Sequence, residues 1–441
     1  MGAADRLVDQ VRRAAVAGAD GGPTWLKLRH QAALVIANGV ECQPLARADR
    51  AAMTRYPADV IRGLRLAMQA VRAEEGIVAL REDMDDASAA LSAEIAGDAW
   101  LQPRVRIVRV PAVYPAGEEG QLALHLTGRA APAGGSPPDA GTLVLGVRTL
   151  LAINEAARDQ AGTHQLVAVM GAVRKPATVW APRGIALESL VAAAGGLGGP
   201  GAVSYFPGGP LQGVPADGAA PLEPGVGLLV VLPAGHAAAR KHDLALGVHL
   251  KRGLAACESC EQCTRLCPAH LAGQPLAPHL VMRAIAHGLD AASVAIVGAA
   301  HCSGCGLCTA YSCPVDLAPS LVTLAVKRQL AAGGYSPPVR HTEPRAEWAD
   351  RRIPLRRLLE RLDLARYDVP APIAGTVSTD RVLVRLELPS GLFAAPTVRD
   401  GHRVKAGQKV AEIPGTAEGA PVLASIGGAV SLTPHGIEIR A

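Results

Sequence analysis

The segment Cys257–Pro268, CESCEQCTRLCP, places four cysteines in a C-x2-C-x2-C-x3-C-P run, a spacing suited to iron–sulfur ligation. Three closely spaced thiolates wrap three irons of one cubane, and the more distant fourth reaches across to a neighbouring cluster. A crossing ligand needs a second run. Cys302–Pro314, CSGCGLCTAYSCP, supplies it through Cys302, Cys305, Cys308 and Cys313, with four residues rather than three before the last cysteine. The spacing predicts two [4Fe-4S] clusters with crossed ligation: Cys257, Cys260, Cys263 and Cys313 on one, Cys302, Cys305, Cys308 and Cys267 on the other. Pro268 and Pro314 turn the chain away after each run. Zinc held by C-x2-C pairs is the alternative, since four thiolates also suit a tetrahedral ion. Two complete runs that both end in Cys-Pro weigh against it. Two adjacent cubanes imply single-electron transfer, with one group delivering electrons and another removing them.

Outside these runs the 441 residues hold one further cysteine, Cys42. Cysteines so confined read as ligands in a reducing compartment rather than as disulfides. The length suggests roughly three domains at about 150 residues each. Apolar residues make up 49% and aromatics only 3%, so the cores are built from Ala, Val and Leu. The balance of 44 Lys+Arg against 39 Asp+Glu gives +5 with no basic block, which argues against a nucleic-acid partner. No run of 18 apolar residues suggests a membrane span. The opening Met-Gly-Ala-Ala-Asp-Arg lacks the order of a secretory signal. A cytoplasmic protein is expected.

Residues 237–335, which hold the cysteines among short helices, read as a ferredoxin-like domain with two [4Fe-4S] clusters. Residues 1–158 alternate helix and strand: Leu7, Val8, Val11 and Ala14, then Ala33–Ala37, then Val60, Leu64, Met68 and Val71, then Ile77–Leu80. That alternation predicts a layered α/β domain. Residues 159–236 contain a hairpin pattern (HQLVAVMGAVRKPATVW, 164–180), a short helix stopped by glycines (IALESLVAAAGGLGG, 185–199) and a buried strand (GVGLLVVLP, 225–233), a β-grasp-like module. The linker 336–368 carries an amphipathic helix with Leu355, Leu358, Leu359 and Leu362 on one face, expected to pack between domains. In residues 369–441, VRDGHRVKAGQKVAEI (398–413) and APVLASIGGAV (420–430) resemble the halves of a barrel-sandwich-like β domain. The attachment turn of a biotinyl or lipoyl carrier is missing, so no carrier role is expected. The fold class is therefore multidomain α/β plus β.

A further stretch, Gly18–Leu28 (GADGGPTWLKL), bears on what feeds the clusters. Gly18, Gly21 and Gly22 followed by Pro-Thr and Lys27 suit a loop whose backbone N–H groups cradle a phosphate. Asp20 would repel that phosphate, so the motif alone leaves both readings open.

Three segments carry a resemblance. NGVECQP (38–44) followed by Asp49, VYPAGEEGQLALHLTGR (113–129) and FPGGPLQG (206–213) are similar to the N-G-x-E-C-E-P, Y-P-x-G-x-E-x-Q-L and G-G-P-M-M-G segments of the RnfC-like flavo-iron–sulfur family. The likeness covers nearly the whole chain, and its β-grasp module resembles the SLBB type. The longer gap before Cys313 and the C-terminal place of the barrel-like domain resemble the family's cobalamin-reductase branch, associated with bacterial microcompartments. The resemblance implies an N-terminal domain like the NADH-binding flavoprotein subunit of respiratory complex I. It also implies an NADH-dependent oxidoreductase that passes electrons through FMN and two cubanes to cobalamin or a partner. Shell proteins are implied as further partners, and the cytoplasm or a microcompartment as the location. On the same basis Gly18, Gly21, Gly22, Lys27, Asn38, Glu41, Gly117, Glu118 and Thr149 bind cofactor, Lys27 neutralising phosphate and Glu118 bonding a hydroxyl. No residue is assigned as catalytic.

The chain departs from the family at two places. The loop pattern G-x-G-G-A-G-F-P-T-x-x-K lacks its Ala-Gly-Phe portion before Pro23, leaving Trp25 as the nearest aromatic to meet a nicotinamide ring. The asparagine-rich flavin contact reads VLGVRT (144–149). A second reading follows: a non-enzymatic iron–sulfur wiring subunit that has lost flavin and NADH binding and takes electrons from a partner dehydrogenase. Cys42 reads as a buried small hydrophobe. His301 reads as an exposed turn residue rather than a donor tuning a cluster. No D-x-H-x-x-G run marks a cobalamin site, so that acceptor rests on resemblance.

Overall fold

A computed structural model describes residues 2–290, 292–387, 391, 393–414 and 418–441. Four strands form a parallel sheet in the order Val105–Val110, Glu75–Arg81, Leu34–Gly39, Thr142–Gly146. Their side chains alternate between two cores, as strand geometry requires. Val35, Ala37, Val78 and Leu80 meet the helices Ala3–Arg13, Pro57–Val71 and Val147–Ala156 on one face. Ile36, Ile77, Ala79 and Val144 meet the helix Glu119–Thr127 on the other. This is the layered α/β arrangement that the alternating sequence predicts. Pro57 starts its helix at a position where no N–H is needed. Gly63 lets that helix cross Val147–Ala156 closely, since a Cβ there would lie 2.0 Å from the Leu150 carbonyl oxygen.

The β-grasp sheet has five strands in the order Ile373–Thr376, Ala177–Pro182, His164–Gly171, Leu228–Pro233, Val203–Pro207. Its hairpin pairs antiparallel from His164 with Pro182 to Val169 with Ala177. The helix Leu187–Ala193 buries Leu187 and Leu190 against Val167, Val179 and Val231, and Gly195 and Gly196 end the segment at positive φ. The edge strand Ile373–Thr376 comes from beyond the linker and adds in parallel to Ala177–Pro182.

The linker helix Leu355–Arg361 buries Leu355, Leu358 and Leu359 in a core shared with Leu45, Tyr114, Met170, Phe206 and Leu307. It fills the point where the α/β domain, the β-grasp and the cysteine region meet. The last residues form a four-stranded and a three-stranded sheet around Val382, Val410, Val430, Ile437 and Ile439. Both sheets stay open, so the unit is a sandwich and not a closed barrel. No described helix is long and apolar enough to cross a membrane.

Candidate redox site

The cysteines separate into two pockets. Cys257, Cys260, Cys263 and Cys313 line one, together with Glu258, Glu261 and His279. Cys267, Cys302, Cys305 and Cys308 line the other. The grouping is crossed between the two runs. Local backbone makes it possible: Ser259 and Glu261 take positive φ in the first run, and Gly304 and Gly306 do so in the second. Gly306 admits no side chain, because a Cβ would meet the Leu211 carbonyl oxygen at 2.4 Å. The extra residue before Cys313 is absorbed by a wide π-type turn over Cys308–Ser312.

Burial, then the neighbouring thiols Cys313, Cys257 and Cys260, push the Cys263 thiol up to about 12. Burial likewise pushes Cys305 to about 12 and raises Cys267, Cys302 and Cys308. Thiols that resist ionisation beside one another become thiolates only with a metal centre's positive charge, which fits a cubane. A cubane spreads its four thiolates over four irons. The first pocket lies at the surface, with Cys260 exposed, whereas Cys305 and Cys308 of the second are buried.

The second pocket adjoins a half-open cavity of about 980 Å³ lined by the α/β domain, the β-grasp loops and the cysteine region. Gly18, Lys27, Asn38, Glu41, Gly117, Glu118 and Thr149 all line it, as do His301, Cys302 and Lys327 on the opposite wall. Asn38 ties the end of its strand to the next turn: Nδ2 donates to the Gly117 carbonyl at 2.8 Å, and Oδ1 accepts from Val40 N–H at 3.2 Å. Glu118 caps the helix Glu119–Thr127, Oε2 accepting from Gln121 N–H at 2.9 Å, and burial raises its pKa. Glu41 is buried with φ +24°, a conformation L side chains rarely adopt and one that collects at functional sites. Its Oε1 accepts from the N–H groups of Asp49 and Arg50 at 2.6 and 2.9 Å. Burial, then the Asp49 carboxylate, raises its pKa to about 7.

The glycine loop differs from expectation. Gly21 and Gly22 stand back from the cavity, whereas Gly18, Ala19 and Asp20 line it. The Gly22 N–H donates to Asp20 Oδ1 at 3.0 Å, so the chain's own carboxylate occupies this loop donor. Gly225 of the β-grasp packs on this loop, leaving only 2.2 Å between a would-be Cβ and the Gly18 carbonyl oxygen. Lys27 pairs with Glu119 at 2.5 Å, and Arg148 pairs with Asp49 at 2.8 Å. Trp25 does not face the cavity: its Nε1 donates to the Gly419 carbonyl at 3.0 Å, 394 residues away. Among the described residues no Phe, Tyr or Trp lines the cavity. His301 is half-buried on the cavity wall and not an exposed turn residue. Cys42 packs against two apolar cores, with its thiol pushed up to about 12 by burial.

The cavity nevertheless fits a flavin. Thr24 Oγ1, Glu41 Oε2 and Gln43 Oε1 are buried polar atoms on its wall without a hydrogen-bond partner, and such atoms in folded proteins normally have one. The volume lies at the upper end of small-molecule sites. Sequence reasoning missed Thr24, Gln43, Arg148 and Lys327. Thr24, Gln43 and Arg148 sat inside motifs already singled out, but nothing local marked Lys327.

Comparison with known proteins gives three family matches along the chain. Residues 11–155 match the Nuo51 FMN-binding domain, 166–215 the SLBB domain and 256–318 a 4Fe-4S dicluster domain. FMN and iron–sulfur clusters are accordingly its cofactors. Cobalamin reductase PduS of Citrobacter freundii is 35% identical over 437 residues, covering 97% of this chain and 94% of the relative. One component of the Na(+)-translocating ferredoxin:NAD(+) oxidoreductase complex of Acetobacterium woodii is 33% identical over 220 residues, 48% of this chain and 48% of that relative. The crystal structure of NAD+-reducing [NiFe]-hydrogenase in the H2-reduced state aligns with a TM-score of 0.49 at 23% identity, over 76% of this chain and 63% of that one.

Proposed function

Because this chain belongs to the PduS branch of the RnfC-like flavo-iron–sulfur family, we propose that it is an electron-transfer oxidoreductase acting as a cobalamin reductase. The observation that carries the reading is the shared wall: the cavity with three unpartnered polar atoms is also lined by Cys302. Cys267, Cys302, Cys305 and Cys308 would hold one cubane beside the cavity, and Cys257, Cys260, Cys263 and Cys313 would hold the other at the surface, next to the exposed Cys260. FMN supplies the conversion of a two-electron hydride into single electrons, which the cubanes carry.

The chain's residues divide the remaining work. Thr24, Glu41 and Gln43 would hold the flavin's polar edge, and Asn38 fixes the Gly117 turn on the cavity wall. Glu41 Oε2, with a pKa of about 7, holds or releases a proton near neutrality, as a general acid–base group must. The β-grasp loop at Gly225 and the cysteine region supply part of the cavity wall. NADH as donor, cobalamin as acceptor and shell proteins as neighbours come from the resemblance. The second reading, electrons supplied by a partner dehydrogenase, is favoured by the absence of an aromatic residue from the described cavity wall and by Asp20 on the loop.

Anaerobically purified protein should contain about eight irons, as two cubanes require, with matching sulfide and one FMN. NADH should then bleach the cluster absorption, and cob(III)alamin should reoxidise it. Eight irons without flavin, even after reconstitution, would make the chain a wire. Flavin present with bleaching by dithionite but not NADH would assign the donor to a partner.

A further inference from the structure

The two cysteine pockets differ in what reaches their ligand backbones. Tyr114, 1% exposed, donates its hydroxyl to the Cys305 carbonyl at 2.6 Å. Lys327 Nζ donates to the Cys302 carbonyl at 2.7 Å. In the surface pocket, among the described residues, no side chain donates to the carbonyls of Cys257, Cys260, Cys263 or Cys313. The carboxylates Glu258 and Glu261 line that pocket instead. Tyr114 also packs in one apolar core with Cys42 of the cavity wall and with Cys305, so it bridges cavity and cluster.

We propose that Tyr114 and Lys327 are positioning residues that raise the reduction potential of the cavity-side cubane. The inference rests on the cluster reading given above. One added electron makes the cubane one unit more negative. A cation and an O–H dipole aimed at its ligand carbonyls stabilise that charge, and more strongly in a buried, low-dielectric setting. Hydrogen bonding around the ligands and net local charge are the protein's established levers on such potentials. Lys327 contributes a full charge at the half-open cavity wall and Tyr114 a dipole in the dry interior. The surface cubane, with carboxylates beside it and an exposed ligand, feels neither directly. The molecule therefore accepts electrons from the cavity at the cluster best able to hold them.

The test is an anaerobic potentiometric titration of the full-length protein, followed by EPR, with iron counted in every sample. The proteins are the parent, Tyr114→Phe, Lys327→Met and Lys327→Arg. Lys327→Met should reduce the equilibrium constant for reducing one cluster about tenfold, ~59 mV for one electron. Tyr114→Phe should reduce it by a smaller factor, about threefold. Lys327→Arg should keep the parent value, and the second cluster's midpoint should stay put in all variants. Eight irons with both midpoints unmoved in Tyr114→Phe and Lys327→Met overturns the inference and leaves the cluster reading intact. Loss of four irons from both variants overturns it too, because the contacts would then be structural. A parent without iron overturns the cluster reading and the inference together.

Discussion

Replacing Glu41 with glutamine should remove a pH dependence that the fold imposes on itself. The Glu41 carboxyl rises from its ordinary 4.5 to about 7 because it is buried and faces the Asp49 carboxylate. Arg47 and Arg81 offset only part of this: Arg81 forms an ion pair with Asp83 at 2.6 Å and donates to the Glu41 backbone carbonyl at 2.8 Å. Between these values the unfolded chain releases a proton that the folded chain keeps. Stability therefore falls as pH rises from 4.5 to 7, is unaffected by this group well below that window, and bears the full loss above it. At ~1.36 kcal/mol per pH unit, the rise to about 7 costs about 3 kcal/mol at pH 8. About 2.5 kcal/mol of that is incurred between pH 5 and pH 8. Glu41→Gln is neutral throughout and retains an oxygen for the Asp49 and Arg50 N–H groups. The variant's calorimetric melting temperature should therefore gain on the parent's by roughly 5–10 °C between pH 5 and 8, for a domain of about 150 residues. The absolute offset at pH 5 depends on how the new NH2 group is accommodated; the widening does not. A gap that stays constant across that range would refute the reasoning, and a narrowing gap would mean that Arg81 and Arg47 win over burial.

Crossed ligation makes the next prediction counterintuitive in sequence terms. Cys313→Ser should abolish the cubane of Cys257, Cys260 and Cys263, and Cys267→Ser that of Cys302, Cys305 and Cys308, each lowering iron from about eight to about four. EPR should show that the surviving cluster is a different one in each variant. Asp20→Asn removes the carboxylate charge at the loop, where Asp20 accepts from Gly22 N–H. It should tighten FMN binding to deflavinated protein by about threefold, the scale of an exposed charge effect, as read by flavin fluorescence quenching. Gly63→Ala would normally favour a helix by up to ~1 kcal/mol. Here the Cβ would meet the Leu150 carbonyl oxygen at 2.0 Å, so the sign reverses and the α/β domain should lose roughly 1–3 kcal/mol in calorimetry.

Legibility followed the range of the interactions involved. The cysteine runs spell out their chemistry because ligand spacing is local, and even the four-residue gap maps onto one wide turn at Cys308–Ser312. The hairpin and two of the parallel sheet's four strands, at Leu34–Gly39 and Glu75–Arg81, were readable for the same reason: their apolar runs are a property of a few residues. The glycine loop was not. Its behaviour depends on Glu119 pairing with Lys27, on Gly225 pressing against Gly18 and on Gly419 taking the Trp25 N–H. None of these lies within 90 residues of its partner. The strand Ile373–Thr376 completes a sheet begun some 200 residues earlier, a pairing that no local pattern announces. Lys327 was invisible because a lysine on an amphipathic helix reads as solvated until the fold brings it to a cluster.

Magnitudes also bear on the altered loop. The Lys27–Glu119 pair is partly exposed, with side chains 26% and 40% accessible, so opening it for a phosphate costs at most about 1 kcal/mol. Asp20 is exposed, and its repulsion is screened to a similar size. Against these small costs stand three buried atoms, Thr24 Oγ1, Glu41 Oε2 and Gln43 Oε1, each of which carries about 1–3 kcal/mol of desolvation until a partner arrives. A flavin that satisfies two of them more than offsets the loop. The nicotinamide end has no such compensation. Stacking of a flat ring on an aromatic side chain contributes about 1–3 kcal/mol, and among the described residues none lines the cavity. The same changes in sequence thus leave the flavin seat viable while weakening a nicotinamide seat by roughly five- to 150-fold. FMN retention and direct NADH oxidation are therefore separable properties of this chain.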